Sequence, residues 1–158
     1  MFYYGNIAVV LKNIAVIRKG DVQVMSAGSG ITHSEYNKNS NSLVKFLQIW
    51  VYPNKKNVTP RYDQITLNES DRKNRFQQIL SPNANDEGLW IYQDAWFFLA
   101  NLDNGITTNH KIKKEGNGVY AFIISGDTTI NQIKLNKRDG LGIWDTETLT
   151  ITAKSNCE

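Results

Sequence analysis

A chain of 158 residues, 41% apolar and 21% charged, can bury one ordinary core or two small ones and has a globular protein's composition. No apolar run approaches the roughly 20 residues of a membrane helix and no basic-then-apolar leader opens the chain, so no membrane is expected and the cytoplasm is the simplest home. The single cysteine, Cys157, excludes an internal disulfide framework. The net charge of +3 is scattered, with short clusters at Lys55-Lys56, Arg72-Lys73 and Lys111 to Lys114, so no nucleic acid is expected as partner.

In chain order, apolar and polar residues alternate with the period of half-buried strands at Ile14 to Ile17, Val22 to Met25 and Leu43 to Tyr52. From Asn54 to Asn85 the texture turns polar, with Pro60, Pro82 and a charged run from Glu69 to Arg75. This reads as a linker with room for a short helical turn. Strand patterns resume at Trp90 to Leu99, Tyr120 to Ile124, Thr128 to Ile130 and Leu149 to Thr152, with turn chemistry at Lys114 to Gly118 and at Ser125-Gly126-Asp127. No apolar stripe has a helical period, so the chain is expected to be all-β. A faint echo lays Asn13 to Asp21 over Asn131 to Asp139, which suggests two related β units.

Chemistry concentrates in Gly28-Ser29-Gly30-Ile31-Thr32-His33-Ser34-Glu35-Tyr36-Asn37. A strand over Thr32 to Tyr36 would place His33 and Glu35 on one face, about 7 Å apart, where imidazole and carboxylate suit Fe(II), Mn(II), Ni(II) or Zn(II). On its own the pattern is a weak signal, since the same pair is also what a solvated strand face holding an ion pair would show. Gly28-Ser29-Gly30 lacks the lysine and helix of a phosphate loop, Cys157 has no nearby histidine, and Ser34 points away from His33 across the strand.

Longer spacings carry a resemblance. Gly20, Ser26, Gly28, His33 and Asn37 fall at intervals similar to the second motif of cupin barrels, with the departures of the pirin branch. Val24 to Asn37 resembles the pirin signature, followed by Leu47 to Pro53 and Val58 to Gln64. Gln93-Asp94-Ala95, Ser125-Gly126-Asp127 and Asp139 to Asp145 resemble the second barrel of bacterial pirins.

The resemblance implies a bicupin of two β-barrels with an incomplete N-terminal barrel. Residues 1–66 would be the remainder of that barrel, 67–88 a linker and 89–158 the C-terminal barrel. Pirins hold one divalent metal in the N-terminal barrel through three histidines and a glutamate. His33 and Glu35 take two of these places, and the other two come from a His-X-His element upstream of Gly20. The sequence contains two histidines, His33 and His110, and His110 reads as a surface residue of the second barrel.

The resemblance thus implies a pirin trimmed at both ends, with an incomplete metal site (Fe, Mn, Ni or Zn). Unpaired strand edges then predict a homo-oligomer, against which a light-scattering mass of one chain at micromolar concentration would count. Bacterial pirins resemble quercetinases, metal-dependent dioxygenases of small aromatic flavonols. In that role Glu35 is ligand and catalytic base, and His33 is a ligand. The other implied possibilities are a non-enzymatic interaction or regulatory protein and an inactive remnant.

Overall fold

The computed structural model describes residues 2–4, 7–10 and 14–158. Asn13, where the internal echo begins, lies outside the described residues. The chain divides into two compact units: residues 1–68 with 78–97, and residues 69–77 with 98–158. No α-helix occurs among the described residues, and no helix is long and apolar enough to cross a membrane.

The first unit opens with β1 (Phe2–Tyr4), β2 (Ile7–Val10), β3 (Ile14–Ile17), β4 (Asp21–Ser26), β5 (Ser34–Asn37), β6 (Lys45–Leu47) and β7 (Arg61–Thr66). One sheet has the order β6-β1-β4-β7 and another the order β3-β2-β5. Strand β4 is buried from Asp21 through Val24, and it pairs antiparallel with β7 from Asp21↔Thr66 to Ser26↔Arg61. Val22 and Val24 join Ile17, Ile79, Leu80 and Leu89 among the unit's buried apolar residues. Asp21, Gln23, Tyr62, Gln64 and Thr66 share the other face of the β4–β7 pair, since directly opposed residues lie on the same side of a sheet.

Residues 67–88, expected as a linker, carry a 3-10 turn at Glu69–Arg72 and β8 (Gln77–Ser81), with Ile79 1% exposed. Strand β8 pairs in parallel with β9 (Leu89–Trp90) through Leu80↔Leu89 and Ser81↔Trp90. The expected strand from Trp90 to Leu99 is broken in the middle: β9 ends at Trp90, a bend follows over residues 92–94, and strand resumes at β10 (Phe97–Leu99). The long strand expected over Leu43 to Tyr52 reduces to Lys45–Leu47. Pairing with β1 covers those three residues, and beyond them Trp50 is 87% and Tyr52 91% exposed.

The second unit contains β11 (Thr107–Lys111), β12 (Val119–Phe122), β13 (Thr128–Ile130), β14 (Ile133–Leu135), β15 (Gly140–Ile143) and β16 (Thr148–Ala153). Their orders are β11-β16-β13-β14 and β12-β15. Strand β16 shows why this region folds as it does: Leu149, Ile151 and Ala153 alternate inward, while Thr148 and Thr150 face solvent. Those three residues join Leu102, Ile123, Ile130 and Leu135 in one apolar cluster.

The echo has a structural counterpart. In the turn before β4 the Asp21 amide donates to the Arg18 carbonyl at 3.0 Å, and Asp21 Oδ2 accepts from the Arg18 amide at 2.8 Å. In the turn before β15 the Asp139 amide donates to the Asn136 carbonyl at 2.9 Å, and Asp139 Oδ2 accepts from the Asn136 amide at 2.7 Å. The residue before each aspartate, Gly20 or Arg138, has a positive φ of 88° or 77°.

His110 is not the surface residue expected from its polar neighbours. It sits in β11 directly opposite Leu149, which turns it toward the core. Its ring packs edge-on against Phe98 at 4.6 Å and Phe76 at 5.0 Å between centroids. Burial, with a smaller contribution from Lys113, lowers its pKa below the ordinary 6.5. Above that pH both folded and unfolded chains carry a neutral imidazole. Below it the unfolded chain binds the proton first, so stability is lost as pH falls. We expect His110→Phe, which keeps a ring between the two phenylalanines, to flatten the fall in melting temperature between roughly pH 7 and 5. Parallel pH profiles for variant and parent would refute this role.

Candidate functional site

Gly28 has φ +54° and lies against the Val58 carbonyl, and the Gly30 amide closes a turn onto Ala27 at 2.9 Å. After this turn the chain runs extended into β5, which starts at Ser34, so His33 stands one residue before the strand rather than within it. His33 is exposed and borders a cavity of about 670 Å³ in the first unit. Glu35 is half-buried in β5, and its Oε1 accepts a hydrogen bond from Gln23 Nε2 at 3.0 Å. Gln23, 2% exposed, also borders the cavity.

Beside Gln23 runs a polar row around the buried carboxylate of Asp21. Asp21 accepts from Gln64 Nε2 at 2.9 Å and from Thr66 Oγ1 at 2.8 Å, and Gln64 Oε1 accepts from the Tyr62 hydroxyl at 2.7 Å. Burial, together with the negative charges of Asp21, Glu35 and Asp63, pushes the Tyr62 pKa up to about 12. Tyr62 therefore stays protonated near neutral pH, a donor rather than a base. Arg61, from the same stretch, lies 3.8 Å over the Trp90 ring and donates to the Trp90 carbonyl.

Sequence reasoning singled out His33 and Glu35 and passed over Asp21, Gln23, Tyr62 and Gln64. The available signal was Asp21 and Gln23 alternating with Val22 and Val24 at the start of a strand expected to be half-buried. Cys157 carries no chemistry here, since burial raises its thiol pKa and its backbone pairs with Leu102.

A nitrogen- and oxygen-ligated transition metal takes at least three protein donors. Among the described residues no group of three or more His, Cys, Asp or Glu side chains comes together. His33 and Glu35 have suitable chemistry, but alone they do not fit a firmly held metal.

The described fold has solved counterparts. The crystal structure of YhhW from Escherichia coli superposes with a TM-score of 0.91 at 33% identity, over 98% of this chain and 67% of that one. The structure of bacterial pirin YhhW in complex with nickel(II) gives 0.89 at 34% identity, over the same shares. Residues 78–158 match the family model described as the quercetinase C-terminal cupin domain, and residues 10–51 match the pirin model. The chain belongs to the pirin family. It is accordingly an all-β bicupin with the N-terminal barrel represented in part, as the resemblance through Val24 to Asn37 implied.

Among curated relatives, the quercetin 2,3-dioxygenase of Escherichia coli (strain K12) is 38% identical over 139 residues, which are 88% of this chain and 58% of the relative. The pirin-like protein of Caulobacter vibrioides is 38% identical over 140 residues, covering 88% and 60%. The chain thus spans about three-fifths of the length of these pirins.

Proposed function

We propose that the first unit carries a quercetin 2,3-dioxygenase-type site for a flavonol-like aromatic, with His33 and Glu35 as two of the ligands of a divalent metal. The observation that carries this reading is His33 on the wall of a cavity, with Glu35 two residues on and held by Gln23. It comes in a chain 38% identical to a protein named quercetin 2,3-dioxygenase. When bound, the metal would supply Lewis acidity toward the substrate's oxygens and dioxygen. Glu35, half-buried and anchored at one oxygen, would take the flavonol's hydroxyl proton.

Turnover then requires donors beyond these two. A second copy, pairing along the outer strands of the first unit's sheets, is the proposed source, in a cytoplasmic setting. The test is dioxygen uptake with quercetin and added Fe(II), Mn(II), Ni(II) or Zn(II), beside His33→Ala and Glu35→Gln. We expect uptake that depends on added metal and falls at least about 100-fold in both variants.

The small donor set favours a second reading, a pirin-type binding protein without catalysis. Quercetin that binds with no uptake under any of the four metals would establish it over the first.

A further inference from the structure

We propose that the cavity of the first unit selects small aromatic anions, and that Lys55 and Lys56 supply this selection without any metal. The volume of about 670 Å³ lies within the usual range for small-molecule sites, about 300–1,000 Å³. The wall offers flat surfaces from Trp50, Tyr52, Tyr92 and Phe97 over an aliphatic floor that includes Val22 and Val24. Its ionisable lining is one-sided: His33, Lys55 and Lys56 border the cavity, and among the described residues no aspartate or glutamate does. Both lysines are exposed, and an ammonium beside an apolar wall favours a ligand that carries negative charge, most strongly at low salt.

The lysines are presented by a fastened loop, not a loose one. The Asn54 amide donates to the Tyr92 carbonyl at 2.6 Å, and the Ser29 amide donates to the Val58 carbonyl at 3.0 Å. Gln93 Nε2 donates to the Tyr52 carbonyl at 2.7 Å. These three bonds bracket residues 54–58 from both sides. Within the bracket, Lys55 Nζ stands 5.7 Å from the centre of the Tyr92 ring, so an aromatic face and a cation meet at one place. An aromatic carboxylate or phenolate matches that pairing, whereas a neutral aromatic uses the wall alone.

This ligand class shares the cavity with the proposed function but needs neither His33 nor Glu35, and it is tested with chelator present. Quenching of tryptophan fluorescence is titrated with 2-naphthoate and with neutral 2-naphthamide in EDTA, at low and high salt. We expect naphthoate to bind about tenfold more tightly at about 50 mM salt, with the difference shrinking toward twofold at about 500 mM. The double variant Lys55→Ala/Lys56→Ala should bind both probes about equally. The double variant Lys55→Arg/Lys56→Arg should keep the preference, which separates loss of charge from loss of fold.

Equal affinities in the parent chain, a preference that survives the alanine pair, or no binding of either probe would each overturn the proposal. Failure of the dioxygen assay while naphthoate keeps its advantage would remove the metal reading and leave this one standing. Uptake with equal probe affinities would do the reverse.

Discussion

Replacing Asp21 with alanine is expected to cost the first unit about 2 kcal/mol, since a buried polar group left without its partner costs about 1–3 kcal/mol. Asp21 is 2% exposed, and its two oxygens take hydrogen bonds from the Arg18 amide, Gln64 Nε2 and Thr66 Oγ1. Gln64 keeps a second acceptor in the Val16 carbonyl at 3.2 Å, so its loss is partial. The Arg18 amide and the Thr66 hydroxyl belong to exposed residues and can turn to water, so the cost comes mainly from emptying the buried Asp21 position and from Gln64. A loss of that size is a large part of the roughly 5–15 kcal/mol that keeps a domain folded. The measurement is urea unfolding followed by circular dichroism, read at the first transition because a chain of two units need not unfold in one step. Asp21→Asn keeps one acceptor oxygen and should lose about half as much. A shift below about 1 kcal/mol for the alanine variant would show that the polar row is solvated and dispensable.

That row also explains what the sequence could and could not reveal. Strands that alternate apolar with polar residues were legible: Thr128 to Ile130 coincides with β13, and Leu149 to Thr152 lies within β16. Strand β11, Thr-Thr-Asn-His-Lys, was invisible because it has no apolar residue to alternate, and its inward positions are Thr108 and His110. Strand β7 escaped because Ile65 is its single aliphatic residue, while Gln64 and Thr66 on its other face bond to the carboxylate of Asp21. The error ran the other way at Leu43 to Tyr52, where the apolar residues of a strand are present without a partner strand beyond Leu47.

The site was legible to a similar depth. His33 and Glu35 could be singled out because a histidine and a carboxylate two apart suggest metal chemistry locally, and the resemblance to the pirin motif implies that role for them. The hydrogen bond from Gln23 could not be read, because it joins residues 12 apart in the chain. Lys55-Lys56 read as one of several scattered charge clusters. Only the bonds that fasten residues 54–58 beside Tyr92 make the pair part of a cavity wall.

Gly28→Ala puts that fastening to a direct test, and it is expected to cost about 2 kcal/mol or more along with most of the charge preference of the cavity. At φ +54° an alanine is strained, and its Cβ would fall 1.9 Å from the Val58 carbonyl oxygen, 2.8 Å from the Val58 carbonyl carbon and 3.2 Å from the Pro60 nitrogen. All three neighbours are backbone atoms, so no side-chain rotation relieves the overlap. The chain around Val58 must move away, and the bond from the Ser29 amide, which ends on the same carbonyl, stretches or breaks. Gly105→Ala is the control, because φ there is +84° with nothing within 4 Å of the added methyl, leaving backbone strain alone at about 1 kcal/mol. Hydrogen exchange should then speed up at Asn54 and Ser29 in Gly28→Ala and stay unchanged there in Gly105→Ala. Naphthoate should lose its advantage over naphthamide only in the Gly28 variant, since the displaced lysines keep their charge but Lys55 no longer holds its own beside the Tyr92 ring. Equal costs for the two glycines, with exchange at Asn54 unaltered, would mean that residues 54–58 are not fixed by the turn at Gly28 and that the lysines reach the cavity by some other restraint.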